Sequence, residues 1–324
     1  MNKIIKNVCI YGLGGVGGYL GGRIAYKINK ENFVDKQVFF ISRGEHLKKI
    51  QQKGLKVITD QEEFTVFPNI ATDNINQIPM PDIYWLCVKA YSLVEAITSI
   101  AKKVSSTTII IPLLNGVDIY ERIRSILNKA IVLPATIYIS SSIEKPGQIR
   151  QVGPEGHIVL GKDPRYPELE YENVIDFLRQ FKISFTWHNN PYPAIWGKYI
   201  FISAFSLVTA YSGKTIGGVL EDEELRKMTQ SIMQEVVNLA EKKGINLEPD
   251  IVEKNIQKAI KFPYHTRTSF QRDLEKGKNQ NEGDIFGGTL IRLAKDYHIS
   301  IPTITRVWEK ISEDNLSDQG DKIN

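Results

Sequence analysis

The stretch Val8-Cys9-Ile10-Tyr11-Gly12-Leu13-Gly14-Gly15-Val16-Gly17-Gly18 constrains this chain more than any other. A short apolar run with the length of a buried strand breaks into glycines at the G-x-G-x-x-G spacing, Gly12, Gly14 and Gly17, and Tyr19 to Ile28 then follows with the composition of a helix. Strand, glycine turn and helix in that order form the context a dinucleotide-binding loop requires. Gly12 permits the tight turn, Gly14 lets backbone N–H groups approach a pyrophosphate, and Gly17 lets the helix lie close on the strand. The helix N-terminus meets the phosphates with unpaired N–H groups and a partial positive charge. The plainer reading, a glycine-rich turn without a ligand, leaves this placement unexplained.

Gln37-Val38-Phe39-Phe40-Ile41 reads as the second strand and ends at Ser42-Arg43-Gly44. NAD-binding chains place an acidic residue near this point to accept the ribose hydroxyls. Here no Asp or Glu closes the strand and Arg43 follows directly, with Glu45 already at the start of the next helix. A guanidinium offers a 2′-phosphate both charge and a planar donor fork, so the sequence favours NADPH/NADP over NAD; the bland alternative is a solvated surface arginine. The segments Glu45–Lys53 (a helix ended by Gly54), Leu55–Ile58 and Glu63–Phe67 follow. Ile83–Val88 and Thr107–Leu113 are then apolar strands that run into Lys89-Ala90-Tyr91-Ser92 and Asn115-Gly116-Val117-Asp118. Strands alternating with helices imply a parallel sheet with right-handed crossovers, and such sheets bind ligands beyond the carboxyl ends of their strands. Gly12, Arg43, Lys89 and Asn115 all fall at such ends.

From Ile131 the pattern changes. Ile131–Ile139, Gln148–Val152 and His157–Leu160 read as strands joined by turns, including Lys145-Pro146-Gly147, and predict an antiparallel extension of the sheet. Glu168–Phe181 reads as a helix and Ser184–Trp187 as a last short strand, before the turn formers Asn189-Asn190-Pro191-Tyr192-Pro193 mark a boundary. The remainder is helical: Ile195 to about Ser212, Glu221–Lys243 with Leu225, Met228, Ile232, Val236 and Leu239 on one stripe, then Pro249–Phe262, Thr268–Lys276, Ile285–His298 and Thr303–Ile311. The polar tail from Ser312 is expected to fray. The expected fold is α/β: a Rossmann-type dinucleotide-binding domain over residues 1–190, then an all-α domain over 191–324.

Bulk properties exclude several function classes. With 42% hydrophobic and 24% charged residues over 324 positions, the chain reads as globular. Its net charge of +4 is scattered, which gives no nucleic-acid footprint. The first residues lack the apolar core of a signal peptide. Ile195–Tyr211 comes nearest to a membrane span but carries Lys198 and several hydroxyls, so no membrane is expected. Cys9 and Cys87 fall in buried strands as core thiols, which fits a reducing, cytoplasmic setting. The five histidines are scattered, with no metal spacing. Nothing fixes the oligomeric state, a homodimer being one option.

Two polar constellations stand in the helical half. Lys198 lies on an otherwise apolar helix, with Ile202, Ser206 and Thr209 following at helical spacing. A buried ammonium needs a partner or a function, and desolvation makes it a readier proton donor near neutral pH; the alternative is a lysine snorkelling to solvent. Ser269 and Asp273 share a helix face four residues apart. Glu282 sits in Asn279-Gln280-Asn281-Glu282-Gly283-Asp284 ahead of another helix, where a capping acid is the alternative.

Over nearly its whole length the chain resembles the ketopantoate reductase (2-dehydropantoate 2-reductase) family. The resemblance rests on Gly12-Leu13-Gly14-Gly15-Val16-Gly17, Ser42-Arg43-Gly44, Val88-Lys89-Ala90, Leu114-Asn115-Gly116-Val117, the Pro146-Gly147 strand pair and Trp196-Gly197-Lys198. It closes with Ser269, Asp273, Glu282, Asp284 and Gly288, all in the family's order. It implies NADPH-dependent reduction of 2-dehydropantoate to (R)-pantoate on the route to pantothenate and coenzyme A. The glycine loop Gly12–Gly17 and Arg43 would bind the cofactor, and Lys89 and Asn115 would lie near cofactor and substrate. Lys198 would donate the proton and Glu282 orient it, while Ser206 contacts substrate and Ser269 holds its carboxylate. Three departures stand out: Ile202 and Ser206 replace the asparagines the family places one and two turns after the lysine, and the loop before Glu282 is about one residue longer than the usual G-R-x-T-E pattern. A lost polar contact at Ile202 bears on a hydroxylated substrate. The alternatives are a related NADPH-dependent reductase of another small 2-keto acid and a non-catalytic NADP-binding sensor.

Overall fold

The computed structural model describes residues 3–276 and 281–320, and the chain divides into two compact units, Met1–Pro191 and Tyr192–Asn324. The first unit opens with β1 (Asn7–Tyr11), α1 (Gly15–Glu31), β2 (Gln37–Ile41), α2 (Gly44–Lys53), β3 (Leu55–Ile58), β4 (Glu63–Val66) and β5 (Ile70–Thr72). It continues through β6 (Ile83–Leu86), α3 (Leu93–Ile100), β7 (Ile109–Pro112), α4 (Ile119–Ile126), β8 (Ile131–Val132) and β9 (Ala135–Tyr138). It closes with β10 (Ser141–Lys145), β11 (Gln148–Gln151), β12 (His157–Gly161), α5 (Glu172–Gln180) and β13 (Ser184–His188).

Six strands form one parallel sheet in the order β5-β2-β1-β6-β7-β8. The chain winds outward from β1 in both directions, which puts the switch point of this Rossmann-type sheet at the carboxyl end of β1. Strands of such a sheet are covered on both faces and read as continuous apolar runs. Accordingly Phe39, Phe40, Tyr84, Trp85 and the free thiol Cys9 are fully buried, and the second free thiol, Cys87, is buried as well.

The segment after β7 departs from the expected antiparallel extension. Ile131–Ile139 is two strands, not one. Pro134 has no N–H to donate to a ladder; β8 ends before it as the edge of the parallel sheet, and β9 begins after it in a separate three-stranded sheet, β13-β12-β9. The β10–β11 hairpin around Pro146-Gly147 joins β3 and β4 in a third sheet, with β11 parallel to β3. Helix α1 starts at Gly15, four residues before Tyr19, because glycines are tolerated in its first turn where they must approach the sheet closely; α5 starts at Glu172 rather than Glu168.

The second unit contains α6 (Tyr192–Ser212), α7 (Ile216–Glu221), α8 (Glu223–Lys242), α9 (Ile251–Ile260) and α10 (Ser269–Glu275). A single π-helical turn over Asp284–Gly288 leads into α11 (Thr289–Tyr297), and α12 spans Pro302–Gly320. Helix α6 is long and apolar enough to cross a membrane by length alone, but most of it is buried within the unit. It is the core element on which α7, α8, α9, α10, α12 and the π turn pack, and a helix apolar on all sides is a buried one. Trp196, Tyr199, Phe205, Phe270 and Phe286 fill this core. Asp222 splits the helix expected over Glu221–Lys243, its carboxylate accepting from the Glu224 and Leu225 N–H groups to cap α8. The tail expected to fray from Ser312 stays helical to Gly320, with Lys310 and Asp314 paired one turn apart at 2.6 Å.

Candidate functional site

Residues singled out by the sequence fall into two sets, one in each unit. In the first, Gly12 ends β1 with φ +96°, and its N–H donates to Ile41 O at 3.0 Å. That conformation favours glycine. A Cβ on Gly17 would stand 2.0 Å from Gly12 O, so α1 lies on the strand at a distance only glycine allows. Gly14 is open, with nothing within 4 Å of a Cβ there. Gly15 faces the Ser141 carbonyl, 2.2 Å from where its Cβ would be, a packing demand the fingerprint alone does not reveal. Leu13 is buried and Val16 partly so.

The first backbone bond at the start of α1 runs from Gly18 N–H to Gly14 O at 2.8 Å. No side chain caps this helix, and no acid stands in its first turn. The N–H groups of Gly15, Val16 and Gly17 therefore head the helix without a competing carboxylate, beside the open face of Gly14. That is the arrangement an anionic pyrophosphate fits.

Arg43, Lys89 and Asn115 follow β2, β6 and β7, the three strands that with β1 occupy adjacent places in the sheet. Parallel pairing puts all four loops on the same sheet edge. Arg43 precedes α2 with a side chain 72% exposed, its guanidinium 3.8 Å from the equally exposed Glu95 carboxylate. Lys89 and Asn115 are partly buried.

In the second unit, Lys198 lies in the first half of α6 and keeps part of its surface. Burial of its ammonium lowers its pKa, the Glu282 carboxylate raises it, and the Lys258 charge lowers it again, leaving it at about 8. Glu282 is 4% exposed. It stands just ahead of the π turn, where its backbone carbonyl accepts from the Ile285 N–H at 3.0 Å. The turn is fastened to α6 by Tyr199, whose hydroxyl donates to Ile285 O. On its other side Trp308 leaves no room for a Cβ on Gly283 or Gly287. A π turn is a rare local form that recurs at functional sites.

Ser206, two turns beyond Lys198, is buried at 3% exposure. Ser269 opens α10 and is partly buried. It is held near α6 through its neighbour Thr268, whose hydroxyl lies 2.9 Å from that of Thr209. Asp273 shares the Ser269 helix, as expected. The sequence reading of the loop before Glu282 includes Asn279 and Gln280, which lie outside the described residues. Sequence reasoning missed Asn255 and Lys258 on α9. Asn255, 5% exposed, has its Nδ2 3.5 Å from the Gly197 carbonyl, and Lys258 bears on Lys198. No spacing marks either residue, because both matter through the packing of α9 on α6.

The family model described as "Ketopantoate reductase PanE/ApbA" matches residues 8–165, and "Ketopantoate reductase PanE/ApbA C terminal" matches 191–314. Among curated proteins the chain is similar to "Uncharacterized oxidoreductase YkpB" of Bacillus subtilis (strain 168), 27% identical over 302 residues, covering 93% of this chain and 96% of that protein. Among solved structures it is similar to 2-dehydropantoate 2-reductase from Porphyromonas gingivalis W83, 26% identical with TM-score 0.79 over 95% of this chain and 99% of that one. It also shares its fold with D-mandelate dehydrogenase in a ternary structure with NADH and anilino(oxo)acetate, 19% identical with TM-score 0.82 over 96% and 99% of the two chains.

Proposed function

Since this chain belongs to the ketopantoate reductase family of oxidoreductases, we propose that it reduces the ketone of a small 2-keto acid to the 2-hydroxy acid at the expense of NADPH. The substrate to try first is 2-dehydropantoate, giving (R)-pantoate. The observation that carries this reading is Lys198, a lysine brought to a pKa of about 8 on a buried helix and acted on by the buried Glu282. Hydride addition to a ketone leaves charge on oxygen, which calls for an acid able to part with its proton near working pH.

The reduced nicotinamide, when bound, supplies the hydride. The protein's part is binding, orientation and the proton. The N–H groups of Gly15, Val16 and Gly17 hold the pyrophosphate over Gly14, and Arg43 takes the 2′-phosphate. Lys89 and Asn115, on neighbouring strand ends, serve the cofactor and the substrate's polar groups. Lys198 passes its ammonium proton to the nascent alkoxide oxygen, and Glu282 keeps that ammonium charged until it does. Ser269 offers a hydroxyl to the substrate carboxylate, and Ser206 offers a second.

One observation favours a different small 2-keto acid. Ile202, partly exposed one turn from Lys198, presents carbon where a hydroxylated tail would want a polar partner. An NADPH-oxidation assay over a panel that sets 2-dehydropantoate beside 2-keto acids with apolar tails tests both readings. Turnover confined to 2-dehydropantoate supports the first and turnover of the apolar acids supports the second. NADPH binding with no turnover of any member refutes both and leaves a sensor.

A further inference from the structure

Helix α9 carries a second cation to the part of α6 that bears Lys198. Asn255 Nδ2 lies 3.5 Å from Gly197 O. One turn further along both helices, the Lys258 ammonium stands 5.4 Å from the centre of the Phe201 ring. That ring is fixed in turn, 4.9 Å from Phe205 and stacked on Phe262 at 5.6 Å between centroids. An ammonium over an aromatic face is attracted to it, and its stem is steered along apolar surface. Lys258 is an exposed residue whose ammonium the ring draws toward α6, and its charge bears on Lys198. Ile202, next to Phe201 in the chain, continues the Lys198 face of α6.

A 2-keto acid carries its carboxylate one bond from the carbonyl carbon. A cation meant for that carboxylate has to stand near the acid that serves the carbonyl oxygen, and α9 brings Lys258 to the Phe201 ring, one turn along α6 from Lys198. Ser269 contributes only a neutral hydroxyl to the same task. We propose that Lys258 is a specificity-determining residue of the Lys198 site: its ammonium pairs with the substrate carboxylate, while the partly exposed Ile202 meets an apolar tail. This rests on the 2-keto acid reading above and names the subclass, monoanionic 2-keto acids with an uncharged, apolar side chain.

The test uses Lys258→Met, which keeps the stem over Phe201 and removes the charge, and Lys258→Arg, which keeps the charge. Oxamate, an unreactive 2-oxo carboxylate, and pyruvamide, a neutral relative, are titrated into each protein with NADPH present, alongside keto-acid kinetics. Charge-assisted pairing predicts that Lys258→Met weakens oxamate binding by about tenfold or more while pyruvamide binding changes by less than about twofold. The same variant raises KM for a turned-over keto acid more than it lowers kcat. It also moves the alkaline fall of kcat/KM to higher pH, because a positive charge no longer opposes protonation of Lys198. Lys258→Arg restores most of the oxamate affinity. Equal oxamate affinity in wild type and Lys258→Met, or no oxamate binding to the wild type, overturns the proposal. Oxamate binding that depends on Lys258 in a protein that reduces no keto acid refutes the reductase reading instead and leaves the carboxylate pairing standing.

Discussion

Glu282, 4% exposed just ahead of the π turn, pulls the pKa of Lys198 upward against the burial that brings it down to about 8. Lys198 is thus poised by two opposed influences, desolvation and a carboxylate, with Lys258 adding to the first.

The sign of the resulting pH dependence follows. Lys198 acts as an acid only while protonated, so kcat/KM for keto-acid reduction is high below about 8 and falls as pH rises through it. Glu282→Gln removes the influence that raises the pKa, and the fall moves to lower pH. A pH–rate profile of both proteins checks this. An inflection that stays in place in Glu282→Gln would show that the carboxylate does not act on the lysine.

Lys198→Ala removes the proposed proton donor while leaving the glycine loop untouched. General acid catalysis by a positioned group contributes roughly 10²- to 10⁴-fold, so kcat is expected to drop by that much while the Kd for NADPH stays within about twofold. Steady-state kinetics and a fluorescence titration with NADPH read the two quantities separately. Near-normal turnover would take the role of acid away from Lys198.

The glycines of the first loop divide by what they do. Gly17→Ala would force a Cβ to 2.0 Å from the Gly12 carbonyl, so the strand and helix must part. Overpacking of this kind costs about 1–3 kcal/mol or more, seen as a lowered Tm. Gly14→Ala meets nothing within 4 Å, and its backbone lies at φ −66°. It is expected to cost less than about 1 kcal/mol of stability and yet to weaken NADPH binding, because the methyl stands where a pyrophosphate approaches. Thermal melts and NADPH titrations on both variants check the split; a Gly14→Ala protein that binds NADPH like wild type would remove the loop from the cofactor site.

Much of this was legible in the residues, and the rest was not for physical reasons. The glycine spacing announced β1, the turn and α1, because only glycine satisfies a positive φ at Gly12 and contact with the Gly12 carbonyl at Gly17. Continuous apolar runs announced β2, β6 and β7, and with them the shared edge bearing Arg43, Lys89 and Asn115. The three-sheet arrangement was hidden because strand pairing is non-local: nothing in Leu55–Ile58 states that it will pair with Gln148–Gln151. Pro134 did carry a readable signal, a missing donor in the middle of a supposed strand. In the second unit Lys198 stood out as a charge on an apolar helix. Lys258 did not, because a lysine on a short amphipathic helix is ordinary until the packing of α9 on α6 is known. The π turn and the packing of Trp308 on Gly283 and Gly287 depend likewise on contacts distant in sequence.

Arg43 gives the sharpest test of cofactor choice. Its guanidinium stands 3.8 Å from the Glu95 carboxylate, with both side chains 72% exposed, and an exposed pair of this kind contributes about 0–1 kcal/mol. Arg43→Ala should therefore leave Tm nearly unchanged, so any loss of binding reports on the ligand rather than the fold. A 2′-phosphate can take bidentate, charge-assisted hydrogen bonds from the guanidinium, whereas a 2′-hydroxyl has no charge to offer it. The expected result is a Kd for NADPH raised by about 10- to 100-fold with the Kd for NADH moved by less than about threefold. Glu95→Gln, which removes the carboxylate that competes for Arg43, should tighten NADPH modestly and leave NADH alone. Wild-type protein that binds NADH and NADPH equally well, with both weakened alike by Arg43→Ala, would assign Arg43 to the general electrostatics of the sheet edge and return the cofactor to NAD.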